Sequence, residues 1–197
     1  MIERDTLIKL LSGRESAARH GDHDLNPGMM PIRELVPAAV LVPLIERADG
    51  MAVMLTRRTD HLEHHPGQIS FPGGHFEPGD ESPEATAIRE TEEETGLDRR
   101  HINIIGRLDI YETRTGFRIT PVVALVTPPF ELTADPDEVA EIFEVPLAFL
   151  LDSANHQRHS RGFEGIDRQF HAIAYKDYYI WGATAGMMLN LYENLKS

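Results

Sequence analysis

The chain has 197 residues, which favours a single domain long enough to bury a sizeable core. Its hydrophobic content of 41% is ordinary for a globular protein, and no apolar run approaches the ~18 residues of a membrane span. Lys and Arg number 19 against 32 Asp and Glu, a net charge of −13 that argues against a general nucleic-acid-binding surface. Cysteine is absent, which excludes disulfides and thiolate metal sites. The charged N-terminus does not resemble a signal peptide, so a cytoplasmic location is expected by elimination.

Hydrophobic periodicity and turn residues predict a mixture in which strands outnumber helices. Asp49-Gly50 between two apolar runs is typical of a hairpin. The predicted elements are a helix over 1–12, a connecting segment over 14–31, strands over 36–45, 51–56 and 69–71, a helix over 83–95, strands over 102–110, 119–127 and 138–145, a short helix over 146–151, a strand over 169–175 and a helix over 184–195. We divide the chain into an N-terminal helix and connecting segment, 1–30, and one main domain, 31–197.

The predicted helix over 83–95 has well-marked ends. Ser82 suits the N-cap, Pro83 suits the first helical position, and Gly96 suits a left-handed C-cap. Near its C-terminal end stand Glu90, Glu93 and Glu94, whose i, i+3, i+4 spacing places them on one face, while Glu92 points elsewhere.

A solvated acidic face is the usual explanation of such a charge run, but two energetic terms oppose it here. Like charges at this spacing cost roughly 0.2–0.5 kcal/mol per pair. The C-terminal end of a helix also disfavours anions, by about 0.3–1 kcal/mol each. Divalent cations such as Mg²⁺ or Mn²⁺ prefer oxygen ligands and would offset the repulsion, so metal binding is the favoured hypothesis.

The residues upstream of the helix extend this pattern. The segment 73–97 resembles the Nudix box, G-x5-E-x7-R-E-U-x-E-E-x-G-U, in which U is an aliphatic residue. Positions from Glu81 onward match with the correct spacing, except that Thr91 replaces the aliphatic residue. One extra residue separates Gly74 from Glu81. Taking Asp80 as the acidic position restores the first interval and lengthens the second.

Further motifs are similar to those of one branch of the Nudix hydrolases, the coenzyme A pyrophosphatases. Glu63 departs from that branch, which usually has a basic residue there, and Thr59 replaces a smaller Ser or Ala. Because of Glu63, other nucleoside diphosphate derivatives stay open as alternative substrates. The matching segments are Leu-Thr-Arg-Arg at 55–58, Leu62, His-Pro-Gly-Gln at 65–68, Phe-Pro-Gly-Gly at 71–74, Thr-Pro-Val-Val at 120–123, Glu-Val at 138–139, Val-Pro-Leu at 145–147 and Trp-Gly-Ala-Thr-Ala at 181–185.

The resemblance implies an α+β fold of the Nudix type, an α/β/α sandwich with a mixed central sheet and a Glu-rich catalytic helix. It implies a Mg²⁺ or Mn²⁺ cofactor held chiefly by Glu90 and Glu94. Glu93 would be a further ligand or orient water, and the Gly74 carbonyl would complete the metal shell. Arg89 would pair with Glu90 or Glu93 and fix its rotamer.

Related enzymes often take the general base from a loop after the box. Asp137, Glu138 and Glu141 are the candidates here, and Glu138 is preferred, with an exposed edge-strand Glu as the competing interpretation. Arg58 is expected to bind substrate phosphate, because a guanidinium fork matches phosphate oxygens.

His65 and Gln68 are expected to orient the loop or the substrate. We interpret Trp181 and Tyr178-Tyr179 as core residues rather than as a platform on which a base stacks.

The implied activity is hydrolysis of the pyrophosphate bond of coenzyme A or acyl-CoA, giving 3′,5′-ADP and 4′-phosphopantetheine. Two alternatives stay open: a Nudix hydrolase of ADP-ribose or a dinucleotide, and a non-catalytic ligand sensor on the same fold. The expected partner is a small-molecule substrate, with no nucleic acid or membrane, and a homodimer is left open.

Overall fold

The computed structural model describes residues 3–13, 18–62, 65–163 and 166–196. The helices in these segments are α1 (Arg4–Leu11), α2 (Asp22–Leu25), α3 (Pro83–Thr95), α4 (Leu147–Leu150) and α5 (Ala183–Lys196). The strands are β1 (Arg19–Gly21), β2 (Val36–Arg47), β3 (Gly50–Arg58), β4 (Ile69–Ser70), β5 (Gly73–His75), β6 (Ile102–Arg107), β7 (Ile110–Glu112), β8 (Phe117–Val126), β9 (Val139–Pro146), β10 (Gln157–Phe163), β11 (Ile166–Tyr175) and β12 (Tyr178–Trp181). Strands outnumber helices, as predicted.

A nine-stranded mixed sheet forms the centre of the molecule. Its main path is β1-β7-β8-β2-β3-β4, while β5 pairs with β2, β6 with β8, and β9 with β3. The β2–β8 and β1–β7 pairs are parallel, and the remaining pairs in this sheet are antiparallel. The predicted mixed sheet is therefore confirmed.

Both faces of this sheet are covered, because alternate residues of each central strand point to opposite sides. On one side, Val42 and Leu44 of β2 pack with residues of α1 and α5 in the larger core. On the other side, Ala39 and Leu41 pack with Ala87 of α3. Helices therefore lie on both faces, which gives the predicted α/β/α sandwich.

The N-terminal segment is tied into this arrangement. Leu7 and Leu11 of α1 are fully buried in the larger core, and β1 pairs in parallel with β7. The predicted connecting segment thus contains β1 and α2, whose short polar sequences carry no periodic signal. The division at residue 30 stays a prediction.

A second sheet, β10-β11-β12, packs beside the first. Only the β11 part of it was predicted, because β10 has no apolar alternation and β12 has only four residues. The predicted strand over 102–110 is also divided in two. β6 contains a register shift between Ile104 and Gly106, and Gly106 approaches the Leu11 backbone too closely for a side chain. Within the described residues, no helix combines the length and apolar character of a transmembrane span.

Candidate active site

Helix α3 is anchored at both ends by the predicted capping residues. The Ser82 hydroxyl accepts a hydrogen bond from the Ala85 N–H at 3.2 Å, and Gly96 adopts a left-handed φ of 68°. Thr91, which replaces an aliphatic residue of the motif, is fully buried. Its hydroxyl donates to the Ala87 carbonyl at 2.6 Å, so the polar group is satisfied within the helix.

The two carboxylates at the centre of the site, those of Glu90 and Glu94, are poorly solvated. Glu94 is only 6% exposed, and burial raises its pKa to about 8. The neighbouring charges of Glu90 and Glu138 add to that rise, whereas Arg58 opposes it. Burial also raises the pKa of Glu90. Ionising both groups therefore needs a compensating positive charge.

The glycine pair Gly73-Gly74 lies directly against these carboxylates. The Gly73 N–H donates to Glu94 Oε2 at 3.3 Å. Gly74 is paired with Ala39 in the sheet, and a Cβ at Gly74 would overlap the Glu90 carboxyl group. The absence of a side chain at Gly74 is therefore what lets the Glu90 carboxylate approach the backbone of β5.

Arg89 binds several acceptors at once. Nε and Nη2 donate to the two carboxylate oxygens of Asp80 at 3.2 and 2.9 Å. Nη1 donates to Glu90 Oε1 and Glu93 Oε2, both at 3.0 Å, and Nη2 also donates to the His75 carbonyl at 3.0 Å. The predicted pairing of Arg89 with Glu90 or Glu93 is confirmed, and the structure adds Asp80 as its bidentate partner.

This contact decides between the two alignments of the motif. The Arg89 guanidinium, together with hydrogen bonds from the Glu77 N–H and the Thr86 hydroxyl, holds the pKa of Asp80 well below its usual range. Asp80, and not Glu81, is thus the acidic residue that orients Arg89. The extra residue in the motif is absorbed between Asp80 and the helix.

Two further glutamates near the end of the helix, Glu92 and Glu93, point away from the interior of the site. Glu92 forms an ion pair with Arg99 on the far side, as its predicted direction requires. The side chain of Glu93 is 59% exposed. Glu93 therefore meets Arg89 at the rim of the site, in contrast to Glu94, which lies in its interior.

The end of β3 brings two further groups to the site. Arg58 Nη1 lies 4.0 Å from Glu138 Oε2, and the charges of both residues act on Glu94. Thr59 fixes the backbone around Glu138: its hydroxyl donates to the Asp137 carbonyl at 3.1 Å, and its N–H donates to the Glu138 carbonyl. Arg58 lies 25 residues before the start of α3 and Glu138 lies 43 residues after its end, so only the tertiary structure brings them to the helix.

Comparison with known proteins places this arrangement in a family. The NUDIX domain model matches residues 35–164. An uncharacterised Nudix hydrolase NudL from Yersinia pestis (strain Pestoides F) is 36% identical over 158 residues, 80% of this chain and 79% of that protein. The chain belongs to the Nudix hydrolase family. A relative of the same name from Yersinia pseudotuberculosis serotype O:1b has the same identity and coverage.

A solved Nudix hydrolase from M. smegmatis, RenU, is similar to this Nudix hydrolase in fold. The TM-score is 0.51 at 22% identity, over 63% of this chain and 81% of that one. The similarity at this level shows the shared α/β/α architecture.

Nudix hydrolases generally use divalent metal ions, and the residues present fit such an ion. Mg²⁺ is usually held by one or two carboxylates, with water and phosphate oxygens completing its shell. Glu90 and Glu94 supply two carboxylates whose pKa values are raised by burial, an effect that a bound cation would oppose. In the described segments, no three His, Asp or Glu side chains form a ready-made metal cluster. The metal roles of Glu90, Glu93, Glu94 and Gly74 stay predictions.

The expected substrate-binding residues lie beside Arg58. The Arg58 N–H donates to the Gln68 carbonyl at 3.0 Å, and the Gln68 N–H donates to the His65 carbonyl at 3.2 Å. His65 has a left-handed φ of 55°, so the loop turns sharply before Gln68. Glu63, which departs from the coenzyme A branch, lies outside the described residues. A cavity of about 430 Å³ at the opposite end of β3 contains none of these groups.

The prediction that the aromatic residues before α5 are core residues was wrong for Tyr179 and Trp181. Tyr178 packs against Phe143 with ring centroids 3.8 Å apart and is a core contact. Tyr179 and Trp181, on the opposite side of β12, are 42% and 36% exposed. Alternation along a strand explains the difference, since only one of two neighbouring residues can face the core.

Proposed function

We propose that this Nudix hydrolase cleaves the pyrophosphate bond of coenzyme A or an acyl-CoA, giving 3′,5′-ADP and 4′-phosphopantetheine. The observation that carries the proposal is that Glu90, Glu94 and Glu138 act on one another electrostatically at one end of the sheet, with Arg58 beside them. Three carboxylates and one guanidinium suit a substrate that brings phosphate oxygens and divalent cations together. The sequence similarity to the coenzyme A branch supports the choice of substrate.

Glu90 and Glu94 would hold Mg²⁺ or Mn²⁺, with Glu93 and the Gly74 carbonyl as further ligands. When bound there, the ion polarises a phosphoryl oxygen and lowers the pKa of the attacking water. Arg89 keeps Glu90 and Glu93 in place through its hydrogen bonds to both. Arg89 would therefore act as a positioning residue that need not touch the substrate.

Arg58 would bind phosphate oxygens on the substrate side. Its side chain is 27% exposed, so its guanidinium reaches both solvent and the acidic interior of the site. Gln68 and His65 border the same position through the loop that precedes β4. A bidentate guanidinium contact would orient the pyrophosphate before the water attacks.

Glu138 is the proposed general base. Its side chain is 50% exposed, so water can reach it, and its charge acts on both Glu90 and Glu94. Glu141 is engaged elsewhere, since it accepts the Tyr178 hydroxyl at 2.6 Å and pairs with Arg57 at 3.3 Å. Glu138 is therefore better placed than Glu141 to take a proton from water at the site.

A second substrate class is favoured by one sequence feature. The carboxylate of Glu63 replaces a basic residue of the coenzyme A branch, which weakens the case for a substrate with an additional phosphate. ADP-ribose or a dinucleotide would share the reacting pyrophosphate without that group. A ligand sensor would not need the full set of carboxylates that this chain retains.

A product screen tests both the chemistry and the substrate. Purified protein with Mg²⁺ or Mn²⁺ is incubated with coenzyme A, ADP-ribose, a dinucleotide or a nucleoside triphosphate, and products are separated by chromatography. We expect coenzyme A to give the highest kcat/KM. The proposal fails if coenzyme A is inert while ADP-ribose or a dinucleotide is cleaved, and the enzyme assignment fails if all are inert.

Two variants on the same helix make the assay specific. Glu94→Gln should lower turnover by more than the ~10–100-fold typical of residues that only support metal ligands. Glu92→Gln removes the same charge on the opposite side of α3, where Glu92 binds Arg99, and should retain activity. Thermal melting of both variants shows whether they stay folded. Equal loss in both variants would contradict the special role of Glu94.

A further inference from the structure

The second sheet presents aromatic side chains on one face. In its register, His159 of β10 lies opposite Phe170 of β11, and Trp181 of β12 lies opposite Ala172. His159, Phe170, Tyr179 and Trp181 form a cluster that we call the aromatic face. Phe170 and Trp181 meet edge to face with centroids 5.4 Å apart, and His159 lies 6.1 Å from both Phe170 and Tyr179.

The aromatic face is open to solvent. Tyr179 and Trp181 are 42% and 36% exposed, whereas Ile173 and Ile180 on the opposite face of the same strands are fully buried. Exposed aromatic rings grouped on a rigid sheet are typical of binding surfaces, because their contact with water is unfavourable and their planes can stack on a ligand.

The charge around the aromatic face favours an anionic ligand. Arg161 and Arg168 lie opposite each other in the register, two residues beyond His159 and Phe170 and therefore on the same face. Arg161 is exposed, whereas Nε and Nη2 of Arg168 are buried. A planar ring attached to phosphate satisfies both features of this surface, and a nucleotide has that chemistry.

The end of β12, which carries Trp181, lies beside the residues that precede and form β4. Gly182 follows Trp181, and a Cβ at Gly182 would lie 4.0 Å from Gln68 Nε2. The Thr184 hydroxyl donates to the Ile69 carbonyl at 3.0 Å, which fixes the start of α5 against β4. Gln68 in turn accepts the Arg58 N–H. These contacts place the residue that follows Trp181 beside Gln68, whose carbonyl binds the Arg58 backbone.

The position of β11 and β12 in the chain bears on specificity. The family model ends at residue 164, before both strands begin. Trp181 thus lies outside the segment that the family model matches. Residues outside the shared part of a fold are a common source of substrate preference.

We propose that the nucleoside base of the substrate stacks on the indole of Trp181 within the aromatic face. The inference rests on the proposed function, since it assigns the base-binding position of the same active site. In this arrangement the pyrophosphate lies at Arg58 and the base at Trp181, and the exposed Arg161 attracts the nucleotide to this side of the molecule.

Trp181 is the single tryptophan of the chain, so its fluorescence reports directly on the aromatic face. The protein in EDTA is titrated with adenosine 5′-monophosphate and, separately, with ribose 5-phosphate, which lacks the base. We expect saturable quenching by the nucleotide and none by the sugar phosphate. Equal effects of the two, or no quenching by the nucleotide, would overturn the proposal. So would emission that changes with protein concentration but not with nucleotide, since this would make the face a surface for self-association.

Kinetics supply a second measure. For Trp181→Leu, the ratio of kcat/KM on an adenosine-containing pyrophosphate to kcat/KM on dimethyl pyrophosphate should fall on the order of tenfold. Trp181→Phe should restore most of the ratio, and Tyr192→Leu, an aromatic replacement on α5, should leave it unchanged. An unchanged ratio in Trp181→Leu contradicts stacking. If the wild type cleaves no pyrophosphate, the proposed function fails, yet the titration still decides whether a base stacks on Trp181.

Discussion

The buried carboxylate of Glu94 makes metal-free protein sensitive to pH in a direction that can be worked out. Burial raises its pKa to about 8, whereas an ordinary glutamate carboxyl, as in the unfolded chain, has a pKa of 4.5. Between these values the folded protein holds a proton that the unfolded protein has released, so stability falls as pH rises through this window. One pKa unit corresponds to about 1.4 kcal/mol, so ionising Glu94 above pH 8 lowers the free energy of unfolding by at most about 5 kcal/mol.

Replacing Glu94 with Gln removes this cost while keeping the shape of the side chain. The amide oxygen can still accept the Gly73 N–H that now bonds to Glu94 Oε2. In EDTA, the variant should match the wild type near pH 5 and exceed it near pH 9, by up to the bound above. Urea unfolding followed by circular dichroism at both pH values gives the two free energies of unfolding. Glu92→Gln, on the far side of α3 from the site, is the control for a change of net charge.

Divalent metal should reverse the trend in the wild type only. Because Glu94 must lose its proton to bind a cation, the apparent affinity for Mg²⁺ should rise with pH up to about 8 and then level off. Added Mg²⁺ should stabilise the wild type most at high pH and should have little effect on Glu94→Gln. A stability difference between the two proteins that is constant from pH 5 to pH 9 would refute the assigned environment of Glu94.

Two further substitutions separate residues that are close in sequence. Asp80→Asn should lower kcat/KM by about 10–100-fold, because Arg89 loses its charged bidentate partner, whereas Glu81→Gln should be nearly silent. Steady-state kinetics of the pair would contradict the assignment if Glu81→Gln were the more damaging change. Glu138→Gln should lower kcat by about 10²–10⁴-fold with folding intact, as loss of a general base does. Glu141→Gln should mainly affect stability, measured by thermal melting, and comparable kinetic losses in both variants would leave Glu138 without a special role.

Local sequence signals were sufficient where neighbouring residues determine the conformation. The caps of α3, the one-sided placement of Glu90 and Glu94 and the opposite direction of Glu92 all follow from helical spacing and terminal residues. The sequence did not predict strands β10 and β12, because their hydrophobic pattern is weak and they are held in place by pairing with β11. Sequence periodicity reports burial, and these strands bury too little on one face to give a signal.

The same distinction between local sequence and tertiary structure applies to the active site. The sequence by itself determined the family resemblance, the Glu-rich helix and the identity of Arg89 as an organising residue. Only the tertiary structure decided that Asp80, rather than Glu81, binds Arg89, that Arg58 and Glu138 meet beside Glu94, and that Trp181 faces solvent near the substrate loop. These outcomes depend on contacts between segments that are far apart in the chain or on which face of a strand is covered. Such contacts are fixed by packing of the whole sheet, and no local pattern encodes them.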